Sequence, residues 1–148
     1  MSIYPPWWDT DVTVYNKRED PQTHIVKWYK TLLKRCFLSH TADKVTVGET
    51  TLSTDYTICR IRKSPDFMEK YLWENLSEDD ISNYFTLGVG DIIVKGAVED
   101  EIDEYAKGKR STDFIGKYKR LQGCFEISEI SLNTGAGRNN EHYFAKGN

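Results

Sequence analysis

No apolar run in this sequence approaches the roughly 18 to 20 residues that a membrane-crossing helix requires, so the chain reads as soluble. Cysteine is scarce and odd in number, with Cys36, Cys59 and Cys124 far apart. Neither a Cys-x-x-Cys pair nor a secretory apolar segment accompanies them, which argues against a disulfide framework and for a reducing cytoplasm. Apolar residues make up only 39% of the chain, and mean hydropathy is −0.62. Basic residues are not in excess either: net charge is −3 and the isoelectric point is about 5.6, which disfavours a protein whose main work is clamping phosphates.

Rings fill the gap that the aliphatics leave. Aromatic residues reach 13% of 148 positions, so core and contact surfaces must lean on Trp, Tyr and Phe. A chain of this length fits one domain with one modest core, spanning residues 1–148. Residues 1–9 carry Tyr4-Pro5-Pro6-Trp7-Trp8, where two prolines forbid helix and two adjacent indoles offer apolar area. Such an arm either folds back on its own barrel or packs on a neighbouring subunit.

Alternation of Val12 and Val14 with Thr13 and Tyr15 predicts a strand over residues 10–16, ended by a charged loop through Pro21. Residues 25–38 are ambiguous. Ile25, Trp28, Tyr29, Leu32, Leu33, Cys36 and Phe37 fall at helical spacing, whereas at period two Lys30 and Lys34 interrupt an apolar face. Residues 44–47 and 55–61 alternate and are β-branched, and the polar stretch between them predicts that they pair with each other. Residues 64–84 read as a loop with one short helix, for which Ser77 and Asp80 form a weak cap. Gly88-Val-Gly-Asp91 is a chain-reversing turn in front of the β-branched Ile92-Ile93-Val94, with Gly90 and Asp91 as its pivot.

Residues 97–123 read as an insertion between two strands of the sheet. It turns acidic at Glu99, Asp100, Glu101, Asp103 and Glu104, then basic at Lys107, Lys109, Arg110, Lys117, Lys119 and Arg120. Within it, Ser111 can cap a short helix whose stripe is Phe114, Ile115, Tyr118 and Leu121. Two further strands follow, at 124–133 and 142–147, separated by a Gly-rich hairpin loop over residues 135–140.

Little in this pattern carries chemistry. Cys36 and His40 are two potential ligands, short of the three or four that zinc needs, and none of the three cysteines stands in a nucleophile elbow. The loop at 135–140 lacks the third glycine and the following helix of a dinucleotide site. The acidic block lacks the alternation and central glycine of a calcium loop. No cofactor, metal or catalytic residue is expected, and an enzyme is not the reading. Lys27, Trp28, Tyr29 and Lys34 interleave bases with rings as a single-strand-binding platform does, although a ring-rich sheet face with snorkelling lysines explains them as well.

The segments at 10–17, around Trp28, at 55–61, at 87–96, at 128–133 and at 142–147, taken in order, resemble the head-to-tail connector, or head-closure, proteins of tailed bacteriophages. The resemblance tips residues 25–38 toward a strand centred on Trp28. It implies a mainly β fold: a small, partly open barrel or sandwich with one inserted short helix and an extended N-terminal arm. It also implies a subunit of a homo-oligomeric ring in the neck of the virion, made in the host bacterial cytoplasm. Its partners would be the portal or adaptor ring and tail-terminator or tail-tube proteins, with duplex DNA sliding through unbound. Trp7, Trp8 and Trp28, and the two blocks Glu99 to Glu104 and Lys107 to Arg110, are then the candidate contact residues, the blocks forming either a seam where acid meets base or an axial loop lining the channel. The alternatives are a nucleic-acid-binding barrel and a small phage-encoded inhibitor of a host protein.

Overall fold

A computed structural model describes residues 4–41, 44–53, 56–121, 123–133 and 141–147. Eight strands and three helices follow in the order β1 (Thr10–Glu19), β2 (Val26–Thr41), β3 (Lys44–Val47), β4 (Thr50–Ser53), β5 (Tyr56–Arg62), α1 (Lys70–Trp73), α2 (Glu78–Ile81), β6 (Ile92–Lys95), α3 (Ser111–Leu121), β7 (Cys124–Asn133) and β8 (His142–Gly147). Six of the strands close an antiparallel barrel in the order β1-β2-β5-β8-β7-β6, with β6 returning to β1. The mainly β fold with one inserted helix is as expected, but the barrel expected to be partly open is closed, because β6 pairs back onto β1 and completes the ring of ladders.

Two long strands turn the corners. Along β2, residues 26–36 pair with β1 and residues 37–41 pair with β5. The change of partner follows a bulge in which Asp11 faces both Lys34 and Arg35. Arg35 takes φ +56° there, and its N–H donates to the Asp11 carboxylate at 3.2 Å. A bulge adds local twist and bends the strand, which is what a six-stranded barrel needs at a corner. β7 does the same around Ser128, leaving β6 for β8. At that second corner a Cβ on Gly147 would sit 1.9 Å from the Glu126 carbonyl oxygen, so only glycine lets the two backbones approach.

Two sequence readings are settled here. Residues 26–38 lie in strand, with Ile25 just ahead of it, and their helical spacing is a by-product of β2 changing partners midway, so that no single face stays inward. The pairing expected between 44–47 and 55–61 does not occur: β3 pairs with β4, Val47 opposite Thr50. Gly48 at φ +64° supports a two-residue turn that closes the hairpin on itself, and it leaves β5 free to pair with β2 and β8. The loop expected over 135–140, and the side chains of Arg120 and Leu121, lie outside what is described.

The barrel interior holds Val12, Val14, Cys36, Cys59, Ile61, Phe85, Leu87, Ile93, Phe125, Ile127, Tyr143 and Ala145. A second apolar layer lies outside the barrel wall, where Tyr15, Ile92, Val94 and Cys124 meet Val98, Ile102, Phe114 and Tyr118 of the insertion. Side chains alternate across a strand, so Ile93 points in while Ile92 and Val94 point out. All three are buried because the insertion covers that outer face. The three cysteines are free and buried, as small hydrophobes.

Candidate functional site

One mouth of the barrel is braced by a buried carboxylate. Asp91, 1% exposed, follows Gly90 at φ +96° in the turn that enters β6. It accepts from Asn16 Nδ2 at 2.9 Å, from the Lys17 backbone N–H at 3.0 Å and from Lys70 Nζ at 3.0 and 3.1 Å. Asn16, equally buried, donates also to the Thr86 carbonyl at 2.6 Å and receives the Thr86 N–H at 3.2 Å. Its amide thus stands in for a strand partner along residues 85–91. Lys70 further donates to the Lys17 carbonyl at 2.8 Å, and its stem runs against Gly88, where a Cβ would come 2.9 Å from Cδ. Burial pushes the Asp91 carboxyl above its ordinary range, against the downward pull of Lys70, the Lys17 N–H and Asn16. Both carboxylate oxygens already accept, so the cluster works as a clasp between the end of β1, α1 and the turn.

Outside the clasp runs an open groove of about 550 Å³, walled by Lys17, Glu19, Pro21, His24, Glu74 and Val89 among others. Val89 is 71% exposed, and Tyr71 and Leu72, next to Lys70, are exposed as well. A smaller hollow of about 210 Å³ lies on the other side of Arg18 and Asp20, beside Ile25, Lys27 and Tyr29.

The insertion is tied down by the residues expected to face a neighbour. Asp100 pairs with Lys117 at 2.8 Å and accepts from the Tyr118 hydroxyl, and its carbonyl accepts from Tyr15. Hydrogen bonds from Lys117 and Tyr118 hold the Asp100 carboxyl below its ordinary range. Glu101 pairs with Lys30 at 3.0 Å, and Lys30 also donates to the Glu99 carbonyl at 2.6 Å. Glu104 accepts from Trp28 Nε1 at 3.1 Å and from the Ser111 N–H at 2.9 Å, and so caps α3 from outside the helix. Partial burial works to raise the Glu104 carboxyl, but those hydrogen bonds outweigh it and the net direction is down. Asp103 fixes the following turn by accepting from the Tyr105 N–H at 2.9 Å. Of the acidic block, Asp100, Glu101 and Glu104 are therefore satisfied within the chain. Lys107, Lys109 and Arg110 are exposed, and among the described residues their side chains form no ion pair.

The indoles divide likewise. Trp8 is 8% exposed, stacked on Tyr4 at 5.2 Å and set edge-on to His142 at 5.8 Å. It folds back on its own barrel, the other course open to the arm, so of the two indoles Trp7 is the one presented outward. Trp7 is 64% exposed. Trp28 packs against the second apolar layer. Tyr29 meets Trp73 edge-on at 5.7 Å and Lys27 pairs with Glu78 at 3.3 Å, so most of the base-and-ring run is engaged within the chain.

The sequence reading singled out Gly90 and Asp91 but missed Asn16, Lys70 and Thr86, which come from three separate segments. The available signal was an acid placed immediately before a wholly apolar strand, where a buried carboxylate must find donors. Among the described residues, Thr86 Oγ1 is the one buried side-chain polar atom with no hydrogen-bond partner.

Fold and surface together define a closed antiparallel β-barrel whose most exposed features are separate apolar and charged patches. The chain belongs to a family of unknown function, DUF6751, whose model matches residues 7–148. No curated protein and no solved structure matches it.

Proposed function

We propose that this chain is a structural virion protein that assembles with copies of itself into a ring of the head-to-tail connector of a tailed bacteriophage, at head closure or an adjacent position. The observation that carries self-assembly is the placement of two unlike exposed patches. Trp7 lies just before Thr10, whereas Val89, Tyr71 and Leu72 surround the clasp at Lys17. Seven residue steps of extended strand take the chain from Thr10 to Lys17, roughly 23 Å. Unlike patches at opposite ends of one strand suit a head-to-tail contact, which closes into a ring when the rotation between subunits is right. The unpaired bases Lys107, Lys109 and Arg110 add a surface that an acidic partner face would match.

The connector assignment itself rests on the resemblance in strand order and turns. A net charge of −3 is consistent with a conduit that duplex DNA must pass without sticking. The nucleic-acid-binding alternative has less support, because Trp28, Tyr29, Lys27 and Lys30 are engaged within the chain and Lys34 remains. Mass spectrometry of purified phage particles tests the assignment: the chain is expected at ring stoichiometry, and its absence from particles removes the connector role.

A further inference from the structure

We propose that the groove beside the Gly90–Asp91 turn is the acceptor for Trp7 of the next copy of this chain. The inference rests on the self-assembly reading and names the surfaces that would mate.

Trp7 is presented, not loose. Tyr4 stacks on Trp8, its hydroxyl donates to the Glu141 carbonyl at 2.8 Å, and the Lys63 N–H donates to that hydroxyl at 2.9 Å. The Trp8 N–H closes a turn on the Pro5 carbonyl at 3.1 Å. The flanking residues are thus fixed to the barrel while the Trp7 ring stands out at 64% exposure. Holding a large ring in place before contact removes part of the ordering cost of association, and indoles head the residue types that dominate interfaces.

The groove offers what an indole lacks at its own end. Val89, 71% exposed, supplies an apolar wall, and Pro21 is part of the same lining. Among the described residues, the Lys17 ammonium has no hydrogen bond or ion pair and only a longer-range attraction to Glu104, and the Glu74 carboxylate has no partner of either kind. A cation for the ring face and a carboxylate for the indole N–H thus line the same groove. Asp9, two residues from Trp7 and exposed, likewise lacks an ion pair among the described residues, so the approaching turn brings an acid toward Lys17. Asp91 and Lys70 of the clasp are part of the same lining, held by their mutual ion pair. A protomer cannot fill its own groove, because Trp8 pins the arm at the Thr10 end of β1 and the groove lies at the Lys17 end.

Sedimentation velocity on the full chain over a wide concentration range tests this, with Trp7→Ala, Val89→Asp and Lys17→Glu checked for folding by circular dichroism. All three positions are exposed, so the barrel is expected to survive each change. Trp7→Ala and Val89→Asp should each raise the self-association constant for dissociation about thirtyfold or more. Mixed together, they should form one-to-one pairs that do not grow, since the Val89→Asp subunit still brings its indole and the Trp7→Ala subunit still brings its groove. Wild-type assembly that persists in either single variant overturns the groove assignment and leaves the ring reading standing. Single variants that both fail and do not rescue each other show that the indole and the groove do not mate with one another, and also overturn it. A wild-type chain that stays monomeric throughout overturns both.

Discussion

The two walls of the barrel are built from the same kind of strand and read very differently. On the wall made by β1, β6 and β7, residues 12–16 and 91–94 are buried without interruption, because the insertion lies over their outer face. On the wall made by β5 and β8 the pattern alternates, with Cys59, Ile61, Tyr143 and Ala145 inward. Its outer face is faced with cations over rings: Arg60 over Phe144 at 5.2 Å, Lys146 over Tyr56 at 4.5 Å and Arg62 over Tyr4 at 4.9 Å. An insertion between two strands has thus become part of the core, and it is worth more to the fold than its place in the sequence suggests. Replacing residues 97–122 with a short polar link should break the comparison most severely. Tyr15, Ile92, Val94 and Cys124 would then form an exposed apolar patch, and soluble monomer should be lost in gel filtration.

A milder test compares single rings on the two walls. Phe114 is 5% exposed and sits 4.7 Å from Tyr15, so Phe114→Ala should cost about 3 to 5 kcal/mol in urea unfolding. Phe144 is half-buried beneath Arg60, and Phe144→Ala should cost distinctly less, about 1 kcal/mol. Equal costs would mean that the insertion covers its wall loosely.

The same contrast explains what could be read from the sequence. β8 was legible because its outer face meets water and its pattern alternates. β6 was legible because Ile92-Ile93-Val94 is β-branched behind a Gly-Asp turn, and the helix over 111–121 because its stripe faces one layer. β2 was not legible from its own residues, since a strand that changes partners at a bulge mixes two inward faces and mimics helical spacing. β3 was read as a strand, but its hairpin was missed because β4, the four residues Thr50–Ser53, is polar and short enough to pass for a turn. For the surface, exposure was the obstacle. Trp7 and Trp8 are identical in sequence terms, and only the ring contacts of Tyr4, Phe37 and His142 separate the anchored indole from the free one. Likewise, the acidic block pairs inside the chain because β2 and α3 bring Lys30 and Lys117 to it.

The clasp and the insertion also differ in how they hold a carboxylate. Lys70→Met leaves Asp91 buried without its cation, and removing one partner of a buried pair costs roughly 3 to 5 kcal/mol. Lys117→Met removes the partner of Asp100, but that pair is solvent-exposed and the loss of stability should be far smaller. Equilibrium unfolding of the two variants at neutral pH checks the order, and reversed costs would show that the mouth of the barrel is open to water.

The smallest effect, and the most local, is in their titration. Burial raises the Asp91 carboxyl above its ordinary value of 3.8, so the native chain takes up that proton before the unfolded chain does. Between the native value and 3.8, Asp91 therefore makes stability rise as pH falls, by at most about 1.4 kcal/mol per pH unit. Asp100 has the opposite sign: Lys117 and Tyr118 hold it below 3.8, so its contribution is present above 3.8 and is lost as pH falls through the native value. Carboxyl resonances followed by NMR should place the Asp91 midpoint above 3.8 and the Asp100 midpoint below it. Asp91→Asn should abolish the upper transition while leaving the lower one in place. Coincident midpoints would mean that the clasp is as well hydrated as the outer edge of the insertion, and the Lys17 end of β1 would then be a frayed mouth and no firmly held lining for a neighbour's indole.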